Sequence, residues 1–142
     1  MIDIITVLAF LGKSIMAIEV TWFEERRIVS IKYSGNVTLE DMREMCKKML
    51  QMLETGVNPL SINSLVDLRD AGQTEFTIKE VLSDELIQQL ASHPNQHWQI
   101  YIGRNNPFHN MMASVISQNS QLRMRFVDTL EEGLAFLDKL NT

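Results

Sequence analysis

Hydrophobic and polar positions alternate with period two over Ile18–Phe23, with Ile18, Val20 and Trp22 on one side and Glu19, Thr21 and Phe23 on the other. After the charged turn Glu24-Glu25-Arg26-Arg27 the alternation resumes over Ile28–Tyr33, setting Val29, Ile31 and Tyr33 together. Two adjacent runs of this kind predict an antiparallel hairpin. Its polar set, Ser30 and Lys32 with Glu19 and Thr21, predicts one thinly covered sheet face, and Gly35-Asn36 is read as the end of the second strand. The period then changes. Leu39, Met42, Cys46, Met49, Leu50 and Leu53 recur at helical spacing behind Thr38-Leu39-Glu40-Asp41, where a threonine and an acid three residues on can cap the first free amides reciprocally. Gly56 and Pro59 end that helix.

The apolar run Leu65-Val66-Asp67-Leu68 stops in Arg69-Asp70-Ala71-Gly72. It predicts a buried central strand over residues 61–68 whose carboxyl end opens into a loop. Thr77-Ile78-Lys79-Glu80 repeats the capping pattern, and Ile78, Val81, Leu82, Leu86 and Leu90 predict one helix up to His93-Pro94-Asn95. Trp98, Ile100 and Ile102 mark the next strand. Asn106-Pro107 opens a third helix with Phe108, Met111, Met112, Val115 and Ile116 inward. Met124–Val127 is a short edge strand, and Thr129-Leu130-Glu131-Glu132 caps a last helix bearing Leu130, Leu134, Leu137 and Leu140. The order ββαβαβαβα predicts an α/β layered domain with about five strands in a mixed sheet and four helices, because strands joined through helices cross over and run parallel.

Composition narrows the function classes. A chain of 142 residues with 45% apolar and 22% charged positions fits one globular domain. A net charge of -5 argues against a nucleic-acid binder. The single cysteine, Cys46, excludes an internal disulfide, suits a cytoplasmic location, and lies on a helix face as a small hydrophobe. No apolar run reaches the length of about 20 residues that a stable membrane span needs. Residues 1–15 are apolar but carry Lys13 after the run rather than before it, the wrong order for a secretory signal. They read as a peripheral extension, with residues 16–142 forming the single domain.

The carboxyl ends of parallel strands are the usual ligand crevice. Two such ends carry Asp67, Arg69 and Asp70, and Arg104, Asn105 and Asn106 ahead of Phe108. The arginines there can meet an anionic group at the helix beginning near Pro107, or simply pair with Asp67 and Asp70 to close the loops. Met45, Met52, Met111 and Met112 widen the helix faces beyond a core stripe and are candidate interface residues; flexible thioethers serve both irregular cores and adaptable surfaces. His93 and His97 have zinc-like spacing, but Pro94 breaks the helix between them and four ligands are not assembled. No cofactor is implied. There is no Gly-x-Ser-x-Gly elbow and no glycine-rich phosphate loop.

From Ile18 to Leu140 the chain resembles the STAS-like, SpoIIAA-like domains of anti-sigma-factor antagonists. The likeness rests on Trp22–Val29, on Tyr33-Ser34-Gly35-Asn36-Val37-Thr38, on Leu65-Val66-Asp67-Leu68-Arg69 and on Phe126–Leu137. It implies a non-enzymatic domain used in regulation or ligand binding. In the antagonists the central strand leads to an Asp-Ser-Ser-Gly-type loop with a phosphorylated serine. Here the corresponding segment reads Asp70-Ala71-Gly72-Gln73-Thr74-Glu75-Phe76-Thr77, with no serine. Thr74 or Thr77 matches only loosely, and Thr77 is already a cap. The expected function is regulation through a protein partner or self-association as a homodimer. The alternative, motivated by the methionines and by similarity to lipid-carrier folds of the Sec14 type, is a carrier or sensor of a small apolar or amphipathic molecule or lipid.

Overall fold

The computed structural model describes residues 17–56, 58–103, 110–111 and 123–140. The elements are β1 (Ile18–Glu24), β2 (Ile28–Thr38), α1 (Leu39–Leu53), β3 (Ile62–Glu75), α2 (Ile78–Ser83), α3 (Glu85–Ala91), β4 (Gln96–Ile102), β5 (Arg123–Val127) and α4 (Leu130–Leu140). One five-stranded sheet runs in the order β1-β2-β3-β4-β5. The first pair is antiparallel and the other three are parallel. The mixed sheet predicted from the alternation is therefore present, with β3 at its centre and β5 at its edge.

The described crossovers, α1 between β2 and β3 and α2–α3 between β3 and β4, pack on one side of the sheet. That side holds the larger core: Val29, Ile31 and Tyr33 of β2 and Val66 and Leu68 of β3 pack with Met42, Cys46, Met49 and Leu53 of α1, Val81 of α2 and Leu90 of α3. Among the described residues the other side is covered by α4, where Leu137 joins Leu65, Ile100, Ile102 and Val127. Ser30 and Lys32 alternate with the core row Val29, Ile31 and Tyr33; Ser30 is half-buried and Lys32 exposed. Gly133 lets α4 sit down on the sheet, since a Cβ there would stand 3.1 Å from Ile100 Cγ2 and 3.4 Å from Leu65 Cδ2.

The capping boxes form as predicted. Thr38 Oγ1 accepts the Asp41 amide at 3.1 Å, and the Asp41 carboxylate accepts the Thr38 amide at 2.9 Å. Thr77 and Glu80 make the same reciprocal pair at 3.1 and 3.0 Å. Thr38→Ala removes the cap of the longest described helix and is expected to cost about 1 kcal/mol. Chemical denaturation checks this; an unchanged midpoint contradicts it.

Two predicted boundaries are corrected. The helix expected over residues 78–90 is two helices, because Asp84 leaves helical geometry at ψ 122° and its carboxylate accepts the Ile87 amide at 3.1 Å as a new N-cap. The apolar spacing is continuous across this break, so periodicity alone joins the two pieces. The second correction concerns the strands. β3 does not open into a loop after Leu68, nor does β2 close at Gly35-Asn36. Both continue as a ribbon in which Ser34 pairs with Asp70, Gly35 with Ala71, Val37 with Thr74 and Thr38 with Glu75. β3 carries an extra residue at each of two register shifts, and such bulges bend and twist a strand pair. Gly35 adopts φ 68°, and Gly72 lies where a Cβ would stand 2.5 Å from Asn36 Oδ1 and 2.9 Å from the Gly35 carbonyl carbon. The glycines that look like strand terminators are what lets the two strands continue side by side.

Candidate functional site

Midway along β3, beside the carboxyl end of β4, the predicted residues Asp67, Arg69 and Asp70 do come together, chiefly with one another. Arg69 Nε and Nη2 donate to the two Asp67 oxygens at 3.0 and 2.8 Å, and the Arg69 amide donates to Oδ1 at 3.0 Å. Asp70 lies 3.7 Å from Lys32, both well exposed, a pairing that contributes little. Gly103, at φ 106°, ends β4 directly against Arg69, where a Cβ would meet Arg69 Cγ at 3.2 Å. Burial pushes the Asp67 carboxyl up, but the Arg69 hydrogen bonds and charge outweigh it and hold the carboxyl below its ordinary range. The same pair, helped by Asp70 and Glu131, raises the Arg69 guanidinium. The second predicted strand end, with Arg104, Asn105, Asn106 and Phe108, lies outside the described residues. What is described is an internally satisfied fork, the loop-closing alternative.

A lowered carboxylate contributes stability that is full above the ordinary aspartate value of about 3.9 and is lost as the pH falls through the folded one. In Arg69→Ala the guanidinium hydrogen bonds and charge are lost, while the residue 69 amide and Lys32 still lower the Asp67 pKa, so burial is less opposed and the pKa is expected to rise above that of the parent. Carboxyl-carbon NMR titration reads this directly; an unmoved or lower value contradicts the account.

At the opposite, amino-terminal end of the parallel strands lies a groove of about 510 Å³ that includes Phe23, Leu60, His97 and Leu140. Phe23, Leu60 and Leu140 are 48%, 41% and 40% exposed, and they are the exposed large hydrophobic side chains of the described residues. All three line this one groove. Leu60 is held at φ 56°, with its amide donating to the Pro94 carbonyl at 2.9 Å. Glu24 and Arg27 pair at 2.9 Å on the rim. Burial, then the charge of Arg123, lowers the His97 pKa, so the ring is neutral near pH 7. The neighbouring histidine is committed elsewhere: His93 Nδ1 accepts the Asn95 amide at 3.1 Å and Nε2 faces Glu54 at 3.2 Å. Among the described residues no group of three His, Cys, Asp or Glu side chains is placed to hold a metal ion. Nothing in the apolar periodicity marked this groove, because its members are single residues at element ends.

The third feature lies beneath the helices. Between the sheet and α1–α3 lies a cavity of about 70 Å³ whose walls include Met42, Met45, Met49, Ser64, Gln96 and Tyr101. Tyr33 reaches Met42 Sδ from its hydroxyl at 3.6 Å, and the Tyr101 hydroxyl donates to Gln99 Oε1 at 2.9 Å. Burial pushes the Cys46 thiol up to about 12, with Asp84 adding to the effect, so it is no nucleophile at neutral pH. Burial raises both tyrosines as well. Of the candidate interface methionines, Met45 and Met111 are buried, Met52 is half-buried against the core, and Met112 lies outside the described residues.

No protein-family model and no curated protein matches the chain. Solved structures do. An uncharacterized protein of the DUF3478 family from Shewanella loihica PV-4, described as having a SpoIIAA-like fold, is 18% identical. The match covers 85% of this chain and 92% of that one, with a TM-score of 0.59. The fold is SpoIIAA-like. The anti-sigma factor antagonist SpoIIAA in its unphosphorylated form is 14% identical over 88% of this chain and 98% of its own, with a TM-score of 0.52. Within this SpoIIAA-like domain, the segment that follows the central strand is the ribbon Asp70–Glu75 rather than a free loop. Thr77 is occupied as a helix cap.

Proposed function

We propose that this SpoIIAA-like domain is non-enzymatic and cytoplasmic and acts in regulation by binding a protein partner, with a second copy of the chain as the first partner to test. The observation that carries the reading is the gathering of Phe23, Leu60 and Leu140, exposed, in one groove with a charged rim. Exposed large apolar side chains gathered in a largely polar groove mark a candidate association site, with a few anchor residues carrying much of the binding energy. The fold is shared with an anti-sigma factor antagonist, which supports the same reading. No described helix is long and apolar enough to cross a membrane. Cross-linking in the cells that make the protein, followed by peptide mass analysis, tests the proposal. Cross-links to another protein, or between copies, from residues flanking Phe23 and Leu140 support it. Cross-links confined to the Asp67–Glu75 end contradict it.

A second reading, carriage or sensing of a small amphipathic molecule, is favoured by the methionine-walled cavity. A dry cavity of about 150 Å³ binds benzene. At about 70 Å³ this one suits a molecule of a few heavy atoms and not a lipid chain. Native mass spectrometry of gently purified protein, with solvent extraction of anything released, tests it; an extracted lipid contradicts the size argument.

A further inference from the structure

Two buried polar atoms belong to the cavity wall and have no hydrogen-bond partner: Ser64 Oγ and Gln96 Oε1. Ser64 is 1% exposed and Gln96 7%. Both line the same cavity, although a register shift in the β3–β4 ladder separates them: Ile62 pairs with Gln96, whereas Ser64 pairs with Gln99. The other end of the Gln96 amide is committed, Nε2 donating to the Leu90 carbonyl at 2.9 Å, which fixes which oxygen is left over. A buried polar group without a partner costs on the order of 1–3 kcal/mol, so a pair of them around one hollow is a feature to be explained.

The chemistry of the hollow defines what fits. Among the described residues that line it, none carries a charge, so an ion has nothing to meet and would lose its hydration. Gln96 Oε1 can only accept. Ser64 Oγ can donate or accept. Three methionines supply apolar, adaptable walls on the α1 side. A neutral hydroxyl suits either orphan, since it can donate to Gln96 Oε1 and can donate to or accept from Ser64 Oγ.

We infer that the cavity is a binding site for a small neutral alcohol, about three heavy atoms, whose hydroxyl hydrogen-bonds to Ser64 Oγ while its apolar stem lies against Met42, Met45 and Met49. This inference rests on the second reading above and adds to it the ligand class and the residues that read it. Ordered water is the competing occupant, since a cavity of this size and polarity holds water readily.

The test uses the full chain labelled with carbon-13 at the methionine methyls, titrated with ethanol and with its isomer dimethyl ether. The two have the same atomic composition, and only the alcohol can donate a hydrogen bond. Saturable shifts of the Met42, Met45 and Met49 methyls are expected with ethanol, at least fivefold weaker with the ether. Ser64→Ala is expected to weaken ethanol about five- to tenfold, the equivalent of one neutral hydrogen bond. The same variant, without ligand, is expected to melt no lower than the parent, because it removes an unsatisfied buried hydroxyl. Binding that is equal for alcohol and ether, or unchanged in Ser64→Ala, overturns the assignment of the hydroxyl while leaving a carrier of apolar molecules standing. No saturable shift with either compound means ordered water only and overturns both.

Discussion

Ile100→Ala is expected to lower the free energy of unfolding by about 2–5 kcal/mol, the range for truncating a fully buried aliphatic side chain. Ile100 is 0% exposed in β4, clustered with Leu65, Ile102, Val127 and Leu137. The size of the effect follows from how the sheet is covered. The side holding α1, α2 and α3 has several elements that can shift into a void. Among the described residues the side holding α4 has one helix, seated on Ile100 through Gly133 at 3.1 Å, so closing a hole there means moving that helix. Urea denaturation reads the loss. The variant should also speed hydrogen exchange in α4 ahead of α1, and a loss under about 1 kcal/mol would show that α4 repacks freely.

Gly72→Ala is the second large effect, about 1–3 kcal/mol by the usual cost of forcing extra volume into a packed site. The added methyl meets backbone, the Gly35 carbonyl carbon at 2.9 Å, as well as Asn36 Oδ1 at 2.5 Å. Asn36 Oδ1 is also the acceptor for the Gln73 amide at 2.9 Å, so moving it costs a hydrogen bond. Gly35→Ala provides the contrast: its Cβ would meet nothing within 4 Å, and only the φ of 68° resists it. Left-handed geometry costs a non-glycine residue about 1–2 kcal/mol. Local exchange rates over residues 34–38 and 70–75 are expected to rise in both variants. Equal, negligible effects would mean that the ribbon is not held as described.

The parts of this fold legible in the sequence are those where one local signal decides. Thr38 with Asp41 and Thr77 with Glu80 place helix starts, and the alternation of Ile18–Trp22 and Val29–Tyr33 places the hairpin. Leu65–Leu68, apolar on both faces, is the central strand. The parts not legible are those where a local signal has two meanings. Gly35 and Gly72 signal a turn in isolation, yet in the folded chain each answers to the other across the ribbon. Asp84 is a cap hidden inside an unbroken apolar period. The cluster was visible as Asp67, Arg69 and Asp70, but that Arg69 is committed to Asp67 depends on a two-residue geometry that spacing does not settle. Ser64 did carry a signal: it is a hydroxyl inside the otherwise apolar inward row Ile62, Val66 and Leu68. The groove of Phe23, Leu60 and Leu140 had none, being assembled from three distant element ends.

The central claim is that this domain works by association through that groove. Sedimentation velocity over a wide concentration range, on the parent chain and on Phe23→Glu, tests it most directly. Phe23 is 48% exposed, and substitutions at exposed sites change stability by only about 0.5 kcal/mol, so the variant should fold. The account predicts a parent that sediments above the single-chain mass of 16.3 kDa, alone or with its cross-linked partner added, and a variant that stays at that mass. A parent and a variant that sediment identically under both conditions would contradict it.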